Sequence, residues 1–240
     1  MSSVFGLIVL VLVSSTLQAG TGFGFSIMAT PFLLLLFEPH DAIQLNIIVS
    51  ILISVVMTYK IRSEVNKESL IRLIKGSLIG IFPGILLSIF LDVRPLKILV
   101  SILILASTAL LVAKINVKQT NTKELITGVL SGLLTTSLGM PGPPLLIYFA
   151  SAKVDKSTLR STALAYFVFI YPVSLLLQFS MYSISKGVWL STLWALPFTV
   201  MGIYLGQWVF ARLNQLLFEK IIYTLLFFTG IFLFLTTLNI

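Results

Sequence analysis

Two breaks in otherwise apolar stretches carry the residue types that could do chemistry: Gly20-Thr21-Gly22-Phe23-Gly24 and Gly139-Met140-Pro141-Gly142-Pro143-Pro144. Glycine permits positive φ and proline removes a backbone donor, so both leave polar backbone groups unpaired. Small polar side chains stand beside them: Gln18, Thr21, Ser26 and Thr30 at the first break, Thr135, Thr136 and Ser137 at the second. A helix that restarts after a break aims free N–H groups and the positive end of its dipole at whatever lies there, which suits an anion. Gly22, Gly24, Phe25 and Ser26, with Ser137, Gly139 and Gly142, are therefore candidate substrate-binding residues. Each hydroxyl has an alternative as a back-bond to its own helix or as glue between helices, and the breaks have one as kinks in packing helices.

Arg160 opens a helical stretch, and an internal offset of 114 residues pairs it with Asn46. An arginine at a span end either snorkels to the headgroups or stands as a partly hydrated cation at the mouth of an anion path, where its planar fork suits sulfonate or carboxylate oxygens. Other chemistries have no residues to carry them. There is no Cys and one His, His40, which excludes thiol and His-based metal mechanisms and argues against Ser-His chemistry. No Asp or Glu is expected well inside a span, since Glu38, Asp41, Asp92, Asp155 and Glu219 fall at loops or ends, which speaks against a relay of buried carboxylates. No phosphate-binding Gly-x-x-x-Gly-Lys-Ser/Thr run is present. The reading is a non-enzyme without cofactor or metal.

The elements that position these residues must lie in a bilayer. Of 240 residues 58% are hydrophobic and only 10% charged, with a mean hydropathy of +1.07, too few charges to cover a water-facing surface. Six apolar runs, at 42–59, 70–91, 95–113, 159–182, 188–211 and 216–238, each approach the roughly 20 residues that cross a hydrocarbon core. The arms flanking the breaks, at 4–19, 25–37, 125–138 and 143–152, reach only about 15–24 Å at a helical rise and are read as re-entrant hairpins. The amino terminus lacks a basic region and a small-residue cleavage site and is read as mature protein. Gly76, Gly80 and Gly84, Gly128 with Gly132, and Gly202 with Gly206 are spaced by four and are read as packing faces.

Gly80–Gly84 and Gly202–Gly206 align at an offset of 122. Each half, 1–116 and 117–240, then reads as a broken hairpin followed by three spanning helices. If the hairpins return to the side they entered, the halves are inverted and 13 of the 16 Lys and Arg face the cytoplasm, with Arg94, Lys97 and Lys186 outside. If each broken region crosses once, the split becomes 9 to 7. The positive-inside rule favours the first, with both termini outside. The formal charge of +8 is thus accounted for by the membrane, and no nucleic acid is expected as a partner. The expected fold is an all-α integral membrane protein of two inverted structural repeats, the architecture of secondary transporters, whose discontinuous helices meet near the midplane.

At the two breaks, the Pro31-Phe32-Leu33 segment and the stretch Leu159-Arg160-Ser161-Thr162, the chain resembles the sulfite exporter TauE/SafE family. The likeness covers nearly the whole chain. It departs at the second break, where prolines interrupt the usual glycine run, and at Leu45-Asn46, where Thr-Ser is usual. The resemblance implies a secondary transporter exporting small organic or sulfur oxyanions, such as sulfite or sulfoacetate, across the bacterial cytoplasmic membrane, and sets Thr162 beside Asn46 and Arg160 among the candidate substrate-binding residues. The partners are then a small anion and the lipid bilayer, with a homodimer compatible. The rival reading is a membrane-embedded structural or assembly subunit without transport.

Overall fold

A backbone in hydrocarbon must satisfy its own N–H and C=O groups, and apolar runs this long do so as helices. The computed structural model describes residues 2–90, 94–95, 98, 101–102, 104–105, 108–109, 118–181 and 183–238. Its helices are α1 (Ser2–Thr21), α2 (Gly24–Leu36), α3 (Pro39–Ile61), α4 (Lys67–Phe90), α5 (Asn121–Leu138), α6 (Gly142–Ser151), α7 (Lys156–Met181), α8 (Lys186–Arg212) and α9 (Gln215–Leu238). A short 3₁₀ turn, Arg62–Glu64, follows α3. Among the described residues there is no strand. Helices α3, α4, α7, α8 and α9 are long and apolar enough to cross a membrane. The sixth expected span, 95–113, falls mostly outside the described residues, as do Leu91, Asp92, Lys97, Leu103, Lys114 and Tyr182; the described positions between 94 and 109 are helical.

Both breaks fall where glycine and proline place them, but the first arms are longer than apolarity indicates. Helix α1 has 20 residues and α5 has 18, about 30 and 27 Å at 1.5 Å per residue. The gain in α5 is a polar first turn, Asn121-Thr122-Lys123-Glu124, started by Thr120, whose hydroxyl caps the Lys123 N–H. The second arms stay short, at 13 and 10 residues.

The first arm of each hairpin packs on a long helix outside that hairpin. Helix α1 lies along α8 and α5 along α4, while α3 and α7 face each other between them. The glycines set this pairing. A Cβ at Gly76 or Gly80 would collide with the Leu125 or Val129 carbonyl of α5, and one at Gly128 or Gly132 with the backbone of Leu73 or Ser77 of α4. Gly202 and Gly206 meet Leu12, Ser15, Thr16 and Ala19 of α1 in the same way. In both pairs the contacts advance together along the two sequences, so the helices run parallel with backbones in contact.

Polar contacts sort the loops onto two ends of the bundle. At one end Lys60 donates to Gln207 (3.5 Å), the Asn66 N–H to Thr162 (3.0 Å), Lys156 to the Leu213 carbonyl, and Arg72 pairs with Glu124. At the other, Ser185 donates to Asp41 (2.8 Å) and Arg94 to the Thr237 carbonyl (3.2 Å). Trp189 and Trp208 are exposed on α8, 19 residues and about 28 Å apart at a helical rise, a separation matching the interfacial belts on either side of a hydrocarbon core.

Candidate functional site

The first break is a reversal built on two glycines. Gly22 has φ +95° and a Cβ there would stand 3.0 Å from the Arg160 Cα, so α7 passes directly over it. Gly24 lies against the end of α1: its absent Cβ would fall on the Leu17 side chain and 2.7 Å from the Leu17 carbonyl carbon. Its lack of a side chain therefore serves the closeness of the two arms. Helix α2 starts after Phe23 with no side-chain cap, which leaves its first N–H groups without an intrahelical partner. Phe25 and Ser26 of that turn are buried.

The second break ends α5 with Gly139 at φ 67°, its N–H bonded to the Thr135 carbonyl (2.8 Å) and the Met140 N–H to that of Leu134 (3.1 Å), a left-handed glycine cap closed by a 5→1 bond. Ser131 donates to the Pro141 carbonyl (2.9 Å), folding the chain back along α5. Helix α6 also starts without a side-chain cap. Its anion-binding capacity is smaller than that of α2, because Pro143 and Pro144 have no N–H and leave Gly142 as the donor of the turn. The two tips touch: a Cβ at Gly142 would lie 3.2 Å from Ile27 and 3.4 Å from the Phe23 Cβ.

Asn46 and Arg160, paired by the internal offset, do the same work in exchange. Asn46 on α3 donates to the Gly139 carbonyl (2.8 Å) at the end of α5, and Arg160 on α7 donates from Nε to the Ala19 carbonyl (2.8 Å) at the end of α1. Each satisfies a carbonyl that a helix end leaves without a partner, and the guanidinium complements the negative end of the α1 dipole. Arg160 is only 4% exposed, so it neither snorkels nor remains hydrated as expected. Its guanidinium lies 4.0 Å from the Phe210 ring centre, Lys156 approaches the same ring at 4.7 Å, and Arg160 Nη2 has no hydrogen-bond partner. Neither break lies at the middle of a helix: the first is level with Arg160, one turn into α7, and the second with Asn46, two turns into α3.

The polar side chains divide. Thr21, Thr135, Thr136 and Ser137 back-bond to the carbonyls of Leu17, Ser131, Gly132 and Leu133, so the Ser137 proton is engaged within its own helix. Thr162 accepts from the Asn66 N–H and ties α7 to the turn before α4. Ser26 and Thr30 are buried without partners. Two residues absent from the sequence reading join Ser26: the Tyr171 hydroxyl lies beside those of Ser26 and Ser50, none of the three in hydrogen-bond geometry. Gln18 donates to the Ser50 carbonyl (3.2 Å) and to Ser54 (3.0 Å), leaving Oε1 free. The spacing of Ser50 and Ser54 by one turn, with Tyr171-Pro172 inside an apolar run, is the only signal the sequence holds for them.

Glu124, in the first turn of α5, keeps to a helix end as the other described acids do, yet it is buried. Glu124 is 3% exposed and accepts from Ser69 (2.5 Å), Tyr148 (3.3 Å) and the Arg72 side chain. Its signal was present, since Glu124, Gly128 and Gly132 form one row on α5 facing α4, as Arg72, Gly76, Gly80 and Gly84 do on α4.

Comparison with known proteins bears on what two touching breaks beside a buried cation are for. No curated protein and no solved structure matches the chain. A family model described as Sulfite exporter TauE/SafE matches residues 7–233, a stretch that includes both breaks, Asn46 and Arg160. The chain belongs to the TauE/SafE sulfite exporter family of multi-pass membrane transporters.

Proposed function

We propose that the chain is a secondary transporter that exports a small sulfur or organic oxyanion, sulfite or a sulfonate such as sulfoacetate, across the bacterial cytoplasmic membrane, and that the anion passes between the two hairpin tips. One observation carries the reading: beside the contact between Gly142 and Phe23 lies the uncapped start of α2, and behind it the buried Arg160, whose Nη2 has no protein partner. Among the described residues no carboxylate forms an ion pair with Arg160. A buried cation in a membrane is costly unless something neutralises it, and a transported oxyanion is the group that would. The N–H groups of Gly24, Phe25 and Ser26, with the Ser26, Ser50 and Tyr171 hydroxyls, supply neutral donors, which hold an anion without binding it too tightly to release.

The halves 1–116 and 117–240 are read as inverted repeats. The exchanged packing of α1 on α8 and α5 on α4, and the exchanged caps from Asn46 and Arg160, support this. So does the grouping of Glu124, at the start of α5, with Arg72 and of Thr162, in the second turn of α7, with Asn66 at one end of the bundle. That end is assigned to the cytoplasm by its Lys and Arg, and both termini to the outside.

Ligand-induced thermal shifts in detergent test the site. Sulfite and small sulfonates should raise the melting temperature of the wild type, and Arg160→Gln, which keeps a donor for the Ala19 carbonyl, should melt near the wild type yet lose most of that shift. Equal shifts in both proteins would place the anion elsewhere.

A further inference from the structure

A lateral groove of about 630 Å³ opens between α2 and α9. Its walls are apolar, Pro31 and Phe32 on α2 and Phe228 and Phe232 on α9, with Lys220 at one end. Phe32 and Phe232 stack at 4.5 Å and close the opposite end. The α9 wall from Leu217 to Phe232 is about 22 Å long at a helical rise.

We propose that the groove holds one anionic phospholipid, its phosphate on Lys220 and an acyl chain along the Phe228 and Phe232 side. Three observations favour this occupant. The groove borders α9, one of the helices able to cross a membrane, and Phe228, Leu217 and Lys220 are exposed, so in the bilayer it opens onto acyl chains. Among the described residues its one charged lining residue is a lysine at the end of the bundle that also holds Lys156 and Arg212, where a headgroup phosphate is the complementary charge. Lys220 lies less than two turns into α9, within reach of the interface by snorkelling. Leu17 and Met28 also line it, so the lipid braces both arms of the first hairpin.

Native mass spectrometry of the full chain, equilibrated with phosphatidylglycerol or phosphatidylcholine of identical acyl chains, tests it. The wild type should retain the anionic lipid about fivefold better, the discrimination one interfacial lysine supplies. Lys220→Glu should erase that preference, and Thr224→Trp, which fills the groove, should reduce retention of both lipids. A phosphatidylglycerol carrying a photoreactive acyl chain should label peptides of α2 and α9 in the unmodified protein, a readout independent of how the variants fold. Equal retention of the two lipids by the wild type, an unchanged preference in Lys220→Glu, or labels spread evenly over the exposed faces of α4 and α8 would overturn the assignment.

Discussion

Glycines that look alike in sequence have different tasks here. At Gly24 a side chain would meet the end of α1, whereas at Gly142 it would meet the flexible end of Ile27. Gly24→Val should therefore reduce the folded yield in detergent size-exclusion chromatography, while Gly142→Ala should fold normally and lose flux because it wedges the tips apart; normal flux in Gly142→Ala would contradict the placement. Gly139 carries φ 67° with Asn46 Nδ2 3.0 Å from its Cβ position. Gly139→Ala should cost about 1–2 kcal/mol for the left-handed backbone, read as a lowered denaturation midpoint. Glycine and proline made both breaks legible in the sequence. What Asn46 and Arg160 do was not legible, because a cap donated across the bundle depends on which helix ends lie beside which, and no spacing along one strand of sequence records that.

The seam between α4 and α5 shows how a row of small residues fixes the position of a charge. Gly76, Gly80, Gly128 and Gly132 bring the backbones together, and one turn before each row begins stand Arg72 and Glu124. Glu124 is the more deeply buried partner, so removing its cation should harm the fold more than neutralising the carboxylate itself. Arg72→Met is expected to lower the melting temperature further than Glu124→Gln does; the reverse order would show that the pair is not what holds the end of the seam. Hydropathy placed the seam and missed its charged end, because the polar first turn of α5 looks like a loop when only apolar residues are counted. The same counting made α1 and α5 look like half-helices, although only α2 and α6 are that short.

At the scale of the whole molecule, α1 packs on α8 and is capped from α7 by Arg160, while α5 packs on α4 and is capped from α3 by Asn46. The proposed sidedness follows from the ends to which the loops are sorted. Single cysteines at the exposed Ser63 and Ser183 in this Cys-free chain should label from opposite sides of the membrane; Ser185 is avoided because it caps α8 and binds Asp41. Labelling from one side would contradict the arrangement. The central claim, that an oxyanion crosses between the tips under the field of Arg160, is tested most directly by the concentration dependence of sulfite flux into proteoliposomes. The wild type should show saturable flux, Arg160→Gln a KM raised at least tenfold with a smaller change in maximal rate, and Arg160→Lys a partial return, since removing one charge-assisted hydrogen bond loses about 1.5–3 kcal/mol of binding. An Arg160→Gln curve that superimposes on the wild type, or no saturable flux of sulfite or any small sulfonate in the wild type, would contradict it.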